Sequence, residues 1–561
     1  METNSFDAIV VGTGISGGWA AKELTEKGLK TLVLDRGRMV KHGDYPTAFK
    51  DPWDVPYANR ITQETRQRKP VQSRTGYPTP ANTHWFVDDL DNPYTEINKF
   101  DWLRGYHVGG RSLMWARQSY RLSPMDFESN AKEGVAIPWP VSYAEMAPWY
   151  DKVETFAGIS GSKEGLAQLP DGIYLPPHDL NCVEQEFRTR LDQKMGRKLI
   201  IGRCANLTAP LTHQESPQRG TCQARNLCIR GCPYGAYFSS VSATLPSAER
   251  TGNMTLLANQ IVYEVIYDND KGRATGVRVL DAETGKQTDY FAKVIFLNAS
   301  ALGTAYIMLN STSNRFPNGF GNDSGELGHN IMDHNKPGGS SAEVDGHLDE
   351  AYTGRRPNGF YIPRYRNVGK DKRSYLRGFG YQGRAARTNF GRFNDSALIG
   401  DELKKAVREA GPWSIGMTAF GEILPYHENH MKIDRTRKDK YGLHVIAFDA
   451  VVRDNELKMQ EDMRNDAAEM LEAAGYKNVT VRSDNFNVGN SIHEMGTARM
   501  GADPKKSVLN KWNQVHACKN VYVTDGSFMV SSGCQNPSLS YMAFTARAAN
   551  HAVEELRKGN L

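Results

Sequence analysis

Unbroken apolar runs open the chain. Asp7-Ala8-Ile9-Val10-Val11 and Leu32-Val33-Leu34 read as buried parallel strands, and the stretch between them as a helix. Later, Met254–Ala258, Ile261–Ile266 and Gly276–Leu280 are short, branched and bounded by turn residues, which predicts strands. Lys293–Ser300 reads as another buried strand, returning to the sheet beside the first. It is followed by Ala301–Thr304 and a helix over Ala305–Leu309. Helices are also predicted over Ser142–Glu154, with Trp149 and Tyr150 on the buried side, and over Glu461–Ala474, ending at Gly475. Between Asn310 and about Asp484 the texture changes. Aromatic and basic loops over Arg355–Arg392 precede alternating strands at Trp413–Leu424 and His444–Val451. A last helix runs from Leu539 to about Leu556.

The first strand ends in Gly12-Thr13-Gly14-Ile15-Ser16-Gly17, and the second in Asp35-Arg36-Gly37. Gly12, Gly14 and Gly17 stand at G-x-G-x-x-G spacing. The first makes a tight turn, the second lets backbone approach a pyrophosphate, and the third lets the helix pack on the strand. A pyrophosphate there sits on the positive end of the helix dipole. Asp35 falls where a carboxylate binds the adenosine ribose. An acid favours a ribose without a 2′-phosphate, yet leaves NAD and FAD both open. The fold class is therefore α/β, with a Rossmann-like domain over residues 1–309, a second domain on an antiparallel sheet over 310–484, and a return to the first over 485–561. The second domain roofs the cofactor.

The chain has 561 residues, enough for two or three domains with large cores. A hydrophobic content of 39% and a charged content of 24% describe a globular chain, and +5 spread over this length argues for no nucleic-acid partner. No apolar run approaches a membrane span. The first strand starts within about five residues of Met1, leaving no room for a signal peptide. That suggests the cytoplasm, unless a partner carrying the signal takes the chain out. Residues 40–100, rich in Pro, Tyr, Arg and Asn, read as surface excursions wrapping a site or partner. The basic run Arg364–Arg377 reads as a solvated loop, or else as a dock for an acidic electron acceptor.

Three of the seven cysteines are bunched as Cys222-x5-Cys228-x3-Cys232-Pro233, in a loop over 219–236. The tail matches bacterial ferredoxin runs, with Arg225 where their middle cysteine stands. Three thiolates without a local fourth suit a three-iron cluster. A zinc site completed by His213, unliganded thiols and a disulfide are the alternatives.

Other glycine-rich stretches suit backbone lying against a flat ligand. One is Val108-Gly109-Gly110-Arg111-Ser112-Leu113-Met114-Trp115. Near the end come His493-Glu-Met-Gly496-Thr497, then Asp525-Gly526, then Asn536-Pro537 at the start of the last helix, whose amides would point at a ligand.

Taken in order, the first glycine motif, Val108-Gly109-Gly110, Gly328-His329-Asn330-Ile331-Met332-Asp333-His334, His493-x-x-Gly-Thr and Asn536-Pro537 resemble the glucose–methanol–choline (GMC) family of FAD oxidoreductases over essentially the whole chain. The resemblance implies FAD, with Asp35 where the family usually has Glu. The cofactor contacts it implies are Gly12, Gly14, Ile15, Ser16, Gly17, Asp35, Arg36, Val108, Gly109, Gly110, Ser112, Met114, Trp115, Val262, Ala299, Asp525, Gly526, Asn536 and Pro537. His493 and Asn536 match the pair facing the reactive edge of the flavin, with His493 as general base. Pyranose oxidases attach their flavin through a His where this chain has Met114, which implies noncovalent FAD. The cysteine spacing resembles bacterial iron–sulfur sugar dehydrogenases, implying a [3Fe-4S] cluster on Cys222, Cys228 and Cys232. It also implies a sugar or glucoside substrate, a small Tat-bearing subunit, a cytochrome or quinone acceptor, and a periplasmic location by co-export. Glucoside oxidation at carbon 3, to 3-keto sugars, is the expected reaction. A carbon-1 glucose or polyol dehydrogenase and a pyranose-oxidase-like enzyme using oxygen are the alternatives. An electron-transfer or assembly subunit is disfavoured, since a pure relay needs no base over its flavin.

Overall fold

The computed structural model describes residues 4–211, 219–350, 356–388, 397–483 and 486–561. His213, the proposed fourth zinc ligand, lies outside them, as do parts of the Arg355–Arg392 stretch and Asp484.

The N-terminal apolar runs form β1 (Ser5–Val11) and β2 (Thr31–Leu34), joined by α1 (Ile15–Glu26). The third parallel strand is β3 (Gln287–Leu297), which pairs with β1 from Ser5↔Phe291 to Val11↔Leu297. Met254–Leu257 extends this parallel sheet beside β2, and Cys518–Val523 extends it beside β3. The N-terminal half of β3 turns antiparallel company with Arg273–Asp281, itself hairpinned to Gln260–Asp268. With Gln514–Val515 on its edge, the sheet has eight strands. β3 ends at Leu297, three residues short of the expected boundary. Ser300 instead caps α2 (Ala301–Asn310), its hydroxyl accepting from the Gly303 N–H, so the helix starts four residues earlier than predicted.

The second layer is a seven-stranded antiparallel sheet. β4 (Gly338–Val344) and β5 (Phe379–Arg387) flank β6 (Trp413–Glu422). Its far edge is made by Phe360–Ile362 and then Ile200–Ile201, so residues well before 310 contribute to this layer. Alternation sets its two faces. Phe379, Tyr381 and Ala385 of β5, with Trp413, Ile415, Met417 and Ala419 of β6, pack under Met459, Met463, Ala467 and Met470 of α3 (Asp454–Ala473). That helix begins seven residues before the predicted start, because its first turn is polar and its acids Asp454 and Glu456 suit a helix N-terminus. His444–Asp449 does not join this sheet. It pairs with His430–Lys438 and Thr95–Glu96 in a separate three-stranded sheet.

Ser142 caps the helix Tyr143–Ala157 in a reciprocal arrangement with Glu145. Tyr150 is buried and Trp149 half-buried. The final helix is α4 (Ser538–Arg557), packed against α1. The basic run 364–377 is a solvated loop at Lys370, Lys372 and Arg373, which are exposed, but not at its two ends. Arg364, Arg366 and Arg377 are buried. Arg366 pairs with Asp462 and Asp466 of α3, and Arg377 with Glu133 and Glu422. Buried charges need such partners, and sequence alone does not reveal them. Among the described residues no helix is long and apolar enough to cross a membrane.

Candidate active site

A cavity of about 630 Å³ lies between the two sheets, at the carboxyl ends of β1, β2 and β3. Gly12, Gly14, Ile15, Ser16, Asp35, Arg36, Gly110, Ser112, Met114, Trp115, Val262, Ala299, Asp525, Gly526, Asn536 and Pro537 all line it, as does His493. Tyr77, Phe86, Asn92 and Pro93 of the early excursion also reach the wall. Gly17, Val108 and Gly109 were expected at the cofactor but are buried behind the wall. They act on its shape: a methyl on Gly17 would overlap the Gly12 carbonyl, and the Gly109 N–H donates to Thr13 Oγ1 at 2.8 Å.

The wall fits FAD. Gly12 has φ +96°, a left-handed conformation that favours glycine. A methyl on Gly14 would meet no protein atom within 4 Å, so this position opens onto the cavity. No side chain caps α1 and no acid sits in its first turn, which leaves its N-terminal amides available to an anion. Asp35 is buried. It accepts from the Thr13 hydroxyl and from the Gly37 N–H at 2.8 Å, and burial pushes its carboxyl up to about 6. Met114 in the wall carries a thioether where a linking histidine would be needed.

At the opposite end four polar side chains form one chain of contacts. His334 Nε2 lies 3.0 Å from the Gly533 carbonyl, and His334 Nδ1 lies 2.6 Å from His493 Nδ1. His493 Nε2 lies 3.5 Å from Asn536 Nδ2, and Asn536 Oδ1 accepts from Gln382 Nε2 at 2.6 Å. Protonation follows from valence. A carbonyl only accepts, so His334 Nε2 carries the hydrogen. Burial lowers His334 to about 4, so it is neutral and its Nδ1 is bare. His493 must then donate from Nδ1. Burial and the neighbouring His334, Lys336 and Arg111 hold His493 well below the usual imidazole range, so its Nε2 is also bare. That lone pair faces the cavity beside Asn536.

The loops are clamped by a buried carboxylate. Asp333 accepts from the backbone N–H groups of His334, Gly489, Ser491 and His493, at 2.8 to 3.1 Å. Burial, with Glu494 nearby, raises it to about 7. Arg111 and Glu494 form a two-pronged pair at 2.6 and 3.1 Å, tying the second glycine turn to the histidine loop. Asp333, His334, Gln382 and the Arg111–Glu494 pair escaped the sequence reading as site residues. The Gly328–His334 stretch was visible only as a motif, and Gln382 only as a position in the Arg355–Arg392 loops, where the structure instead forms β5.

Cys228 also lines the cavity, and Cys222, Cys228 and Cys232 are partly buried and close enough to influence one another electrostatically. Yet among the described residues no group of three or more His, Cys, Asp or Glu side chains is disposed to hold a metal ion. The expected three-iron cluster therefore finds no support in the disposition of these side chains. Spacing along a loop does not by itself converge three thiols.

Two family models, both described as GMC oxidoreductase, match residues 6–336 and 425–545. The chain is similar to the fructose dehydrogenase large subunit of Gluconobacter japonicus, at 26% identity with 100% of this chain and 99% of the relative covered. It is equally similar to the gluconate 2-dehydrogenase flavoprotein of Pantoea cypripedii, at 26% identity with 99% and 95% covered. Among solved structures it shares its fold with the formate oxidase of Aspergillus oryzae, at TM-score 0.62 and 15% identity with both chains fully covered. The glycine cradle, the histidine loop and these matches agree: the chain belongs to the GMC oxidoreductase family of FAD-dependent enzymes acting on CH–OH groups.

Proposed function

We propose that this enzyme dehydrogenates a sugar-type alcohol, with His493 as general base and Asn536 as its orienting partner. The observation that carries this reading is the placement of His493 Nε2 in the cavity wall, 3.5 Å from Asn536 Nδ2, with His493 Nδ1 engaged by His334. Bound FAD would supply the two-electron, hydride-accepting chemistry. Gly14, the α1 amides and Asp35 would hold its pyrophosphate and ribose, and the second glycine turn its flavin. The substrate hydroxyl sits between His493 and Asn536. His493 takes the hydroxyl proton at Nε2, and the Asn536 amide hydrogen-bonds the same oxygen and aims its carbon–hydrogen bond. Gln382, donating to Asn536 Oδ1, keeps that amide turned with its N–H groups toward the substrate.

The finer reading is oxidation of a glucoside at carbon 3 to a 3-keto sugar, with a small Tat-bearing subunit, co-export to the periplasm and a cytochrome or quinone as acceptor. It rests on the sequence resemblance; the names of the relatives support only the coarser reading, a dehydrogenase of a sugar-type alcohol that works with a partner subunit. A three-iron route for the electrons rests on the Cys222/Cys228/Cys232 spacing alone.

The test is an anaerobic visible spectrum of purified enzyme before and after methyl glucoside, with iron analysis of the same sample. Bleaching of the flavin bands, lost in His493→Ala, is expected. Bleaching in His493→Ala at the wild-type rate would refute the base assignment. An iron-free enzyme that still bleaches would remove the cluster and leave the oxidation.

A further inference from the structure

The face of β5 that looks into the cavity carries Gln382 and, two residues on, Arg384. Phe379, Tyr381 and Ala385 occupy the opposite face, in the core under α3. Gln382 is tied to Asn536, but the Arg384 guanidinium is exposed to the cavity and, among the described residues, has no ion pair or hydrogen bond. Nor, among the described residues, does the wall offer it a free acid. Its four carboxylates are committed: Asp35 to Thr13 and Gly37, Asp525 to Thr304 and Ser527, Glu494 to Arg111, and Asp439 to the amides of Tyr441 and Leu443.

A second cation repeats the imbalance. Arg117 in the same wall is only 4% exposed and has no carboxylate partner among the described residues. It donates to the Trp115 carbonyl, while its Nε finds no acceptor among the described residues. Asn358 Nδ2, another group in the wall, is likewise a buried donor without an acceptor. The surplus is therefore of donors and of positive charge. A neutral sugar hydroxyl both donates and accepts and so does not discharge it. A carboxylate only accepts, and it matches the guanidinium fork in two parallel bonds.

We propose that the substrate is a sugar acid, and that Arg384 binds its carboxylate. This rests on the reading of His493 and Asn536 as the alcohol-binding pair. Residues 382 and 384 are about 7 Å apart along the strand. The carboxylate therefore lies across the sugar skeleton from the reacting carbon, as in a uronic acid. Water shields Arg384 while the cavity is open. When a ligand displaces that water, only an anionic acceptor restores what the guanidinium loses.

Two probes of one shape separate the alternatives: methyl glucoside, and methyl glucuronide, in which the CH2OH group is a carboxylate. Their dissociation constants are measured with FAD-loaded enzyme under anaerobic conditions at low ionic strength, from the concentration dependence of flavin reduction. The glucuronide is expected to bind about 10- to 100-fold more tightly, the range of charge-assisted hydrogen bonds. In Arg384→Gln the ratio of the two constants should fall toward one, and Arg384→Lys should restore part of it. Equal constants in the wild type, or a ratio that Arg384→Gln leaves in place, would overturn the proposal. If neither sugar reduces the flavin, the oxidation reading fails separately. The glucuronide's perturbation of the visible flavin band, and its loss in Arg384→Gln, then decides the carboxylate site on its own.

Discussion

Replacing His334 tests whether one buried imidazole sets the protonation of another. In His334→Leu the His493 Nδ1 hydrogen loses its acceptor and the Gly533 carbonyl loses its donor. Leaving a buried polar group unpaired costs about 1–3 kcal/mol. His493 escapes part of that cost by moving its proton to Nε2, the nitrogen that has to be bare for catalysis. A shift of that size lowers the competent fraction by about 5- to 150-fold. The rate of flavin reduction in stopped flow should fall accordingly, with FAD content retained. His334→Gln should recover part of the loss, because its amide oxygen can accept from His493 and its N–H can donate to Gly533. Nitrogen-15 shifts of labelled His493 supply a signature that a merely loosened site would not produce: a bare Nε2 in the wild type and a protonated Nε2 in His334→Leu. A wild-type reduction rate in His334→Leu, with the bare Nε2 still present, would refute the reasoning.

Four further outcomes are expected. Gly14→Ala should fold with the wild-type melting temperature yet bind FAD poorly, since its methyl meets only the cavity. Gly17→Ala should lose about 1–3 kcal/mol of stability by overpacking against the Gly12 carbonyl, and thermal melts of the apoprotein separate the two. Asp35 ionises at about 6 in the empty site, and ribose hydroxyls bind its ionised form, so FAD binding releases its proton. Affinity should therefore hold above that pH and weaken as pH falls through it, by up to about tenfold per unit, in a flavin-fluorescence titration; Asp35→Asn should remove the dependence. Finally, Met114 predicts that acid precipitation frees all the flavin into the supernatant, and yellow colour left in the pellet would contradict it.

Sequence alone settled those features that depend on neighbours along the chain. Residues 8–11 of β1 and 32–34 of β2 are unbroken apolar runs because both faces are covered there. The G-x-G-x-x-G turn needs glycine for reasons of local conformation and close backbone approach, and α1 follows directly from it. The order of the GMC stretches was legible for the same reason, and so were His493 and Asn536 as residues of the cavity wall. Element boundaries were less so. Ser300 could be strand or helix cap until its hydroxyl was seen on Gly303, and the polar first turn of α3 hides in any periodicity count.

Everything that depends on residues far apart was left to the tertiary structure. His334 and His493 are separated by 159 positions, and Gln382 and Asn536 by 154; each becomes a partner only when the second sheet closes over the first. The same closure decided that Arg366 and Arg377 are buried struts while Arg384, on a neighbouring stretch, stands in the cavity with no partner among the described residues. Among the described residues, Cys222, Cys228 and Cys232 do not make up a metal-holding group despite their suggestive spacing. A charge or a thiol takes its role from what faces it across the fold, and only packing brings those groups face to face.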